Sequence, residues 1–191
     1  MTLLTSAKFW LLLLILSGLT MTQSSFADET YQAIDWVDLM PDEDLDALMN
    51  PPEYLDEIED GSMEDQISSQ LLGALENSAD DRYQQALTSA KVKPEFDQRK
   101  IRLPGFIVPV EMNEQQRVTE FFLVPFFGAC IHYPPPPPNQ IIYVTSQDGV
   151  AQQNLYEAYW VEGMLTTTIT ENDVAVSAYA MKADNVELYE Q

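Results

Sequence analysis

Basic residues are scarce in this chain: nine Lys and Arg stand against 31 Asp and Glu, a formal charge of −22. Such a charge opposes binding to nucleic acid and to anionic lipid surfaces. Cysteine is scarcer still. Cys130 is alone, so no disulfide can form within the chain and stability has to come from a packed core. Histidine is equally rare, with only His132, and neither a second Cys nor a second His is present to build a four-ligand zinc site. The chain also lacks a Gly-rich phosphate loop, a Ser-His-Asp set and a His-x-x-x-His pair. Asp42, Asp44 and Asp46 alternate, but the rest of a calcium-loop pattern is missing.

Long apolar runs are missing too. The run Phe9–Leu16 (FWLLLLIL) falls short of the roughly 20 residues a membrane-crossing helix needs. It follows Lys8, the one charged residue of the first 27, and precedes Ser25-Phe26-Ala27 and then Asp28. A charged start, a short apolar middle and small residues at −3 and −1 predict a secretory signal peptide cleaved after Ala27. A lipid anchor would need a Cys just beyond the cleavage point, and none is there. The expected product is therefore an exported, periplasmic protein with no stable membrane anchor.

The expected mature chain divides by charge. Residues 28–81 hold 18 acids and no base; residues 82–191 hold 13 acids and eight bases. We read residues 28–61 as an acidic extension, 62–96 as a helical segment with a linker, and 97–191 as a β domain. In the extension, Trp36, Leu39, Met40, Leu45, Leu48 and Met49 are candidates for docking, on this chain's own domain or on a partner. Ile67, Leu71, Leu72, Leu75 and Ala86 recur at three-to-four spacing and predict a helix over 62–90, ended by Pro94. Beyond Arg99, β-branched and aromatic residues predict five strands: 100–111, 119–126, 140–145, 158–170 and 177–189. Gly105 and Pro109 invite bulges in the first, Gln147-Asp148-Gly149 a turn after the third, and Ala183-Asp184-Asn185 a break in the fifth. The expected fold is mainly β, a small five-stranded OB-like barrel, with a small antiparallel sandwich as the alternative.

One segment stands apart: PFFGACIHYPPPPPNQ, residues 125–140. Pro134, Pro135, Pro136, Pro137 and Pro138 cannot join a sheet ladder and favour a stiff polyproline II rod, about 3.1 Å per residue. With Tyr133, Asn139 and Gln140 they form a candidate recognition loop. Together with RLPGFIVPVE ahead and WVEGML behind, this string resembles the signature of a bacterial exported family of unknown function. The resemblance implies a cell-envelope protein encoded near ABC-transporter and metal-handling components. It implies no activity.

Cys130 and His132 share one side of an extended segment and are candidate zinc or copper ligands, needing completion by carboxylates such as Glu111, Glu120 or Glu162, or by a partner. The same pair could serve as nucleophile and base if a third group oriented the ring. The plainest reading makes Cys130 a buried small residue and His132 a loop-holding hydrogen-bond donor. The leading functional expectation is a non-enzymatic accessory protein that presents Cys130–Gln140 to a protein partner, with a membrane transporter or a metal-handling component as the partner class. A metal- or thiol-dependent enzyme and a structural interaction module are the alternatives.

Overall fold

The computed structural model describes residues 31–50, 81–129, 136–151 and 156–189. The expected leader, most of the expected helix, and Cys130 to Pro135 lie outside the described residues.

In chain order the elements are β1 (Gln32–Ala33), a 3-10 turn (Trp36–Leu39), α1 (Asp42–Met49), α2 (Asp81–Leu87) and a second 3-10 turn (Pro94–Phe96). Then come β2 (Arg99–Met112), β3 (Val118–Val124), a third 3-10 turn (Pro138–Gln140) and β4 (Ile142–Val150). The chain continues with β5 (Ala158–Thr166), the short pair β6 (Thr170–Glu171) and β7 (Val176–Ser177), and β8 (Tyr179–Leu188). The five long strands run β2-β3-β4-β8-β5, and β5 pairs again with β2, closing a barrel. Every neighbouring pair is antiparallel except β4 and β8, which run parallel. One sheet curling onto itself is the OB-like barrel and not the two-sheet sandwich.

Alternation builds the core. On β2, Ile101, Leu103 and Ile107 point inward; Phe121 and Leu123 do so on β3, Ile142 and Val144 on β4, Val161 and Leu165 on β5, and Tyr179 and Met181 on β8. Most of these are fully buried, each contributing about 1.5–3 kcal/mol of transfer free energy. A second apolar cluster lies on the outer face, where Phe122, Val124, Ala129 and Ile141 are buried against Phe106, Val108 and Tyr143. An OB-like barrel ordinarily offers this face to ligands. Here the chain's own residues fill part of it.

Three irregularities set the curvature. The β2–β3 register shifts at Pro109–Glu111, where the proline invites a bulge. The β5–β8 register shifts between Glu162 and Gly163, so Asp184 bulges inside one continuous strand and the expected break does not split it. A Cβ on Gly163 would run into the Lys182 carbonyl, so only glycine fits this crossing. On β4 the expected stop at Gln147-Asp148-Gly149 is replaced by a bulge: Gly149 takes φ 65° and the strand continues to Val150. Glycine pays no steric penalty there. β5 ends at Thr166, four residues before the expected boundary.

The acidic extension docks on its own barrel. β2 pairs with β3 only from Phe106 onward, which leaves the edge at residues 99–105 open on that side. β1 pairs in parallel with Ile101 and Arg102 there, and the Ile34 N–H donates to the Arg102 carbonyl at 3.1 Å. The Trp36 indole N–H donates to the Pro104 carbonyl at 2.7 Å. Ile34, Leu39 and Met40 are buried, whereas Met49 remains exposed.

Candidate functional site

The loop after β3 is pinned at both described ends. On the near side Gly128 takes φ 77°, which turns the chain so that the Ala129 N–H reaches the Phe126 carbonyl at 3.3 Å. Ala129 is fully buried, while Phe126 and Phe127 stay partly exposed. Phe127 stacks on Tyr156 with ring centroids 4.5 Å apart.

On the far side Pro136 and Pro137 are buried. Pro137 has φ −61° and ψ 153°, the polyproline II geometry that its ring favours. A single 3-10 turn follows over Pro138–Gln140, with proline at its first position, where no N–H is needed. The Pro138 carbonyl accepts from the Ile141 N–H at 3.3 Å and from the Ala178 N–H at 2.8 Å. A proline carbonyl keeps its acceptor capacity, and here it ties the turn to the barrel.

Asn139 and Gln140 face inward. Asn139 is fully buried and Gln140 nearly so. The Asn139 backbone N–H donates to the Ser89 carbonyl at 3.2 Å, and its Nδ2 donates to Asp44 Oδ2 at 3.1 Å. Gln140 Nε2 donates to the Trp36 carbonyl at 2.9 Å and to the Asn139 carbonyl at 3.0 Å. These two side chains therefore grip the docked extension instead of facing solvent. Asn139 Oδ1 is buried without a hydrogen-bond partner among the described residues. Tyr179, fully buried at the start of β8, completes the clasp: its hydroxyl accepts from the Lys93 N–H at 2.8 Å and donates to the Leu39 carbonyl at 2.9 Å. Burial pushes its pKa up, since the phenolate would lose its solvation.

The three alternating aspartates do separate jobs. Asp42 pairs with Lys93 at 2.9 Å, Asp44 is buried on Asn139, and Asp46 accepts from Asn50 at 3.1 Å. Sequence reasoning noted Asp44 only within that acidic run. Its role depends on a partner 95 residues away, and no local pattern reports that.

Cys130, His132, Tyr133, Pro134 and Pro135 lie outside the described residues. Two of the three carboxylates considered as companions for a metal have other partners. Glu120 accepts a short hydrogen bond from the Tyr143 hydroxyl, and Glu162 takes Arg102 at 3.3 Å and Asn185 at 3.1 Å. Glu111 sits opposite Glu120 across the β2–β3 ladder. Among the described residues, no group of three or more His, Cys, Asp or Glu side chains could hold an ion. Tyr143 is the most perturbed group of this face. Burial first, then Glu120 and Glu111, push its pKa up to about 12.

A family model described as a protein of unknown function, DUF3299, matches residues 36–188. The chain belongs to the DUF3299 family. A crystal structure of a DUF3299 family protein from Pseudomonas aeruginosa PAO1 is similar, with 34% identity and a TM-score of 0.61. The match covers 85% of this chain and 98% of that one. No curated protein matches. The family match begins at Trp36, so it takes in the barrel of this DUF3299 chain and its docked extension from Trp36 onward, while β1 and Ile34 lie ahead of it.

Proposed function

We propose that this DUF3299 protein is an exported, non-enzymatic accessory protein of the periplasm, presenting the loop that begins at Cys130 to a protein partner in the cell envelope. A membrane transporter or a metal-handling component is the partner class we favour. One observation carries the reading. The chain on either side of Cys130–Pro135 is fixed: Ala129 is buried, and Pro136, Pro137, Asn139 and Gln140 are buried in an anchor locked to the barrel and to the extension. A short segment with fixed ends and a proline-rich half loses little entropy on binding, which suits recognition.

A photo-crosslinking residue at Tyr133, expressed in the envelope, tests this. The expected result is one discrete adduct that disappears when Pro134 and Pro135 are deleted. Unchanged adducts in the shortened chain, or none in the parent, would sink the proposal. Metal content of wild type beside Cys130→Ser and His132→Ala addresses the metal reading separately. A stoichiometric zinc or copper ion lost in both variants would move Cys130 and His132 from partner recognition to metal handling.

A further inference from the structure

The barrel has a second opening, and no described segment fills it. β4 and β8 pair in parallel only as far as Ser146 and Ala183. Past that point each strand keeps only its other partner: β4 stays on β3, ending at Val150 opposite Val118, and β8 stays on β5, ending at Leu188 opposite Tyr159. A cleft of about 490 Å³ lies between the diverging strands, with Tyr159 among the residues lining it.

The exposed edge has a definite phase. The Tyr189 N–H donates to the Ala158 carbonyl at 2.9 Å, and Glu187 and Asn185 follow in register opposite Trp160 and Glu162. In an antiparallel ladder alternate residues turn their backbone groups to the partner. Val186 and Leu188 therefore turn theirs away from β5, into the cleft, where β4 no longer pairs with them. An unpaired strand edge is a template for another strand. The molecule already uses this solution once, since β1 and Ile34 fill the open edge of β2.

Charge decides what fits. The cleft carries Asp148, Asp184 and Glu187 against Lys182 and Arg117. The Arg117 guanidinium is held by the neutral carbonyls of Asp148 at 2.8 Å and Gly149 at 2.6 Å and keeps its charge, and Glu187 pairs with Arg102 at 2.7 Å, so the excess negative charge a partner would meet is that of the chain as a whole, −22. A second copy of this chain would bring a further charge of −22 to a chain that already carries −22, so self-pairing is opposed. We infer that the β4–β8 cleft takes an extended, basic segment of a partner protein, added as a strand along Val186–Leu188.

The test titrates the purified, isotope-labelled protein with three probes: (Lys-Val)4, (Glu-Val)4, and (Lys-Val)4 N-methylated at alternate residues. The inference expects the first to protect the Val186 and Leu188 amides from exchange by at least about tenfold, and the other two to leave them unprotected. Leu188→Pro removes a cleft-facing N–H that β5 does not use, and is expected to weaken (Lys-Val)4 binding by about tenfold or more with the circular dichroism spectrum unchanged. Equal binding of the N-methylated peptide would reduce the effect to charge attraction and overturn the inference. So would protection confined to other amides. Concentration-dependent dimers that protect the same two amides without peptide would make a second copy the occupant, and would overturn it as well. The N-methylated probe keeps the test decisive should Leu188→Pro fail to fold.

Discussion

The barrel has two openings along its strand edges and treats them differently. At β2 the gap is closed from within by β1, Ile34 and Trp36. At β4 and β8 it stays open to about 490 Å³. The closing segment is part of the most acidic stretch of the chain, yet what holds it is mainly uncharged: backbone pairing, an indole hydrogen bond, buried Leu39 and Met40, and the Asn139–Gln140 clasp. Acidic composition therefore does not make a segment mobile when its few apolar side chains are spaced to reach a core.

The sharpest way to break this comparison is to remove the anchor of the closed side. Leu39 is fully buried, and Leu39→Ala is expected to cost about 2–5 kcal/mol in urea unfolding. If the segment contributed little, the midpoint would barely move.

The two edges can then be set against each other with one substitution type. Ile34→Pro removes the N–H that donates to the Arg102 carbonyl and trims a buried side chain, for an expected loss of about 2–4 kcal/mol. Leu188→Pro removes an N–H that faces only the cleft and should cost under about 1 kcal/mol. Equal costs would mean that the second edge is not free. Within the clasp, Asn139→Ala strips the buried Asp44 carboxylate of its amide donor, which is expected to cost about 1–3 kcal/mol.

Much of the fold was legible because it rests on short-range pattern. The five long strands, the bulge at Pro109 and the irregularity at Asp184 follow from alternation broken by proline or by Ala183-Asp184-Asn185. Gln147-Asp148-Gly149 misled because a turn signal and a left-handed bulge call on the same residue types, and only the neighbouring strand decides between them. Of the proline run expected to form a rod, Pro137 keeps the polyproline II geometry and Pro138 opens a 3-10 turn. That Asn139 and Gln140 point inward was not legible, because the groups they hold, Asp44 and the Trp36 carbonyl, are 95 and 104 residues away. The cleft left no sequence signal at all, since it arises where a parallel pair separates.

On the outer face, Tyr143 reports how well the filled side is sealed. Its folded pKa of about 12 lies above the ordinary 10, so the folded state holds the phenolic proton more tightly. The stability this gives is complete below pH 10 and drains away as pH rises through 12. Unfolding followed between those limits should show the fall in wild type and a smaller one in Tyr143→Phe. Absorbance at the phenolate band should show one tyrosine fewer ionising late in that variant. An identical slope in both proteins would mean that Glu120 and burial do not hold the proton.

The smallest effect expected is electrostatic, and it tests the same contrast from the other direction. Lys93 reaches Asp42 at 2.9 Å and Lys91 reaches Glu43 at 2.6 Å, but both acids are largely exposed. Exposed pairs are screened and give up side-chain entropy to hold their geometry, so Lys93→Ala should cost less than about 1 kcal/mol. Raising salt to about 0.5 M should leave the extension docked, because ions screen exposed charges far more than they weaken a buried leucine or a backbone ladder. If salt instead released the extension, as shown by proteolysis near Asn50 or by a change in Trp36 fluorescence, charge and not packing would be what closes the first edge. The contrast between the two openings would then rest on ionic strength.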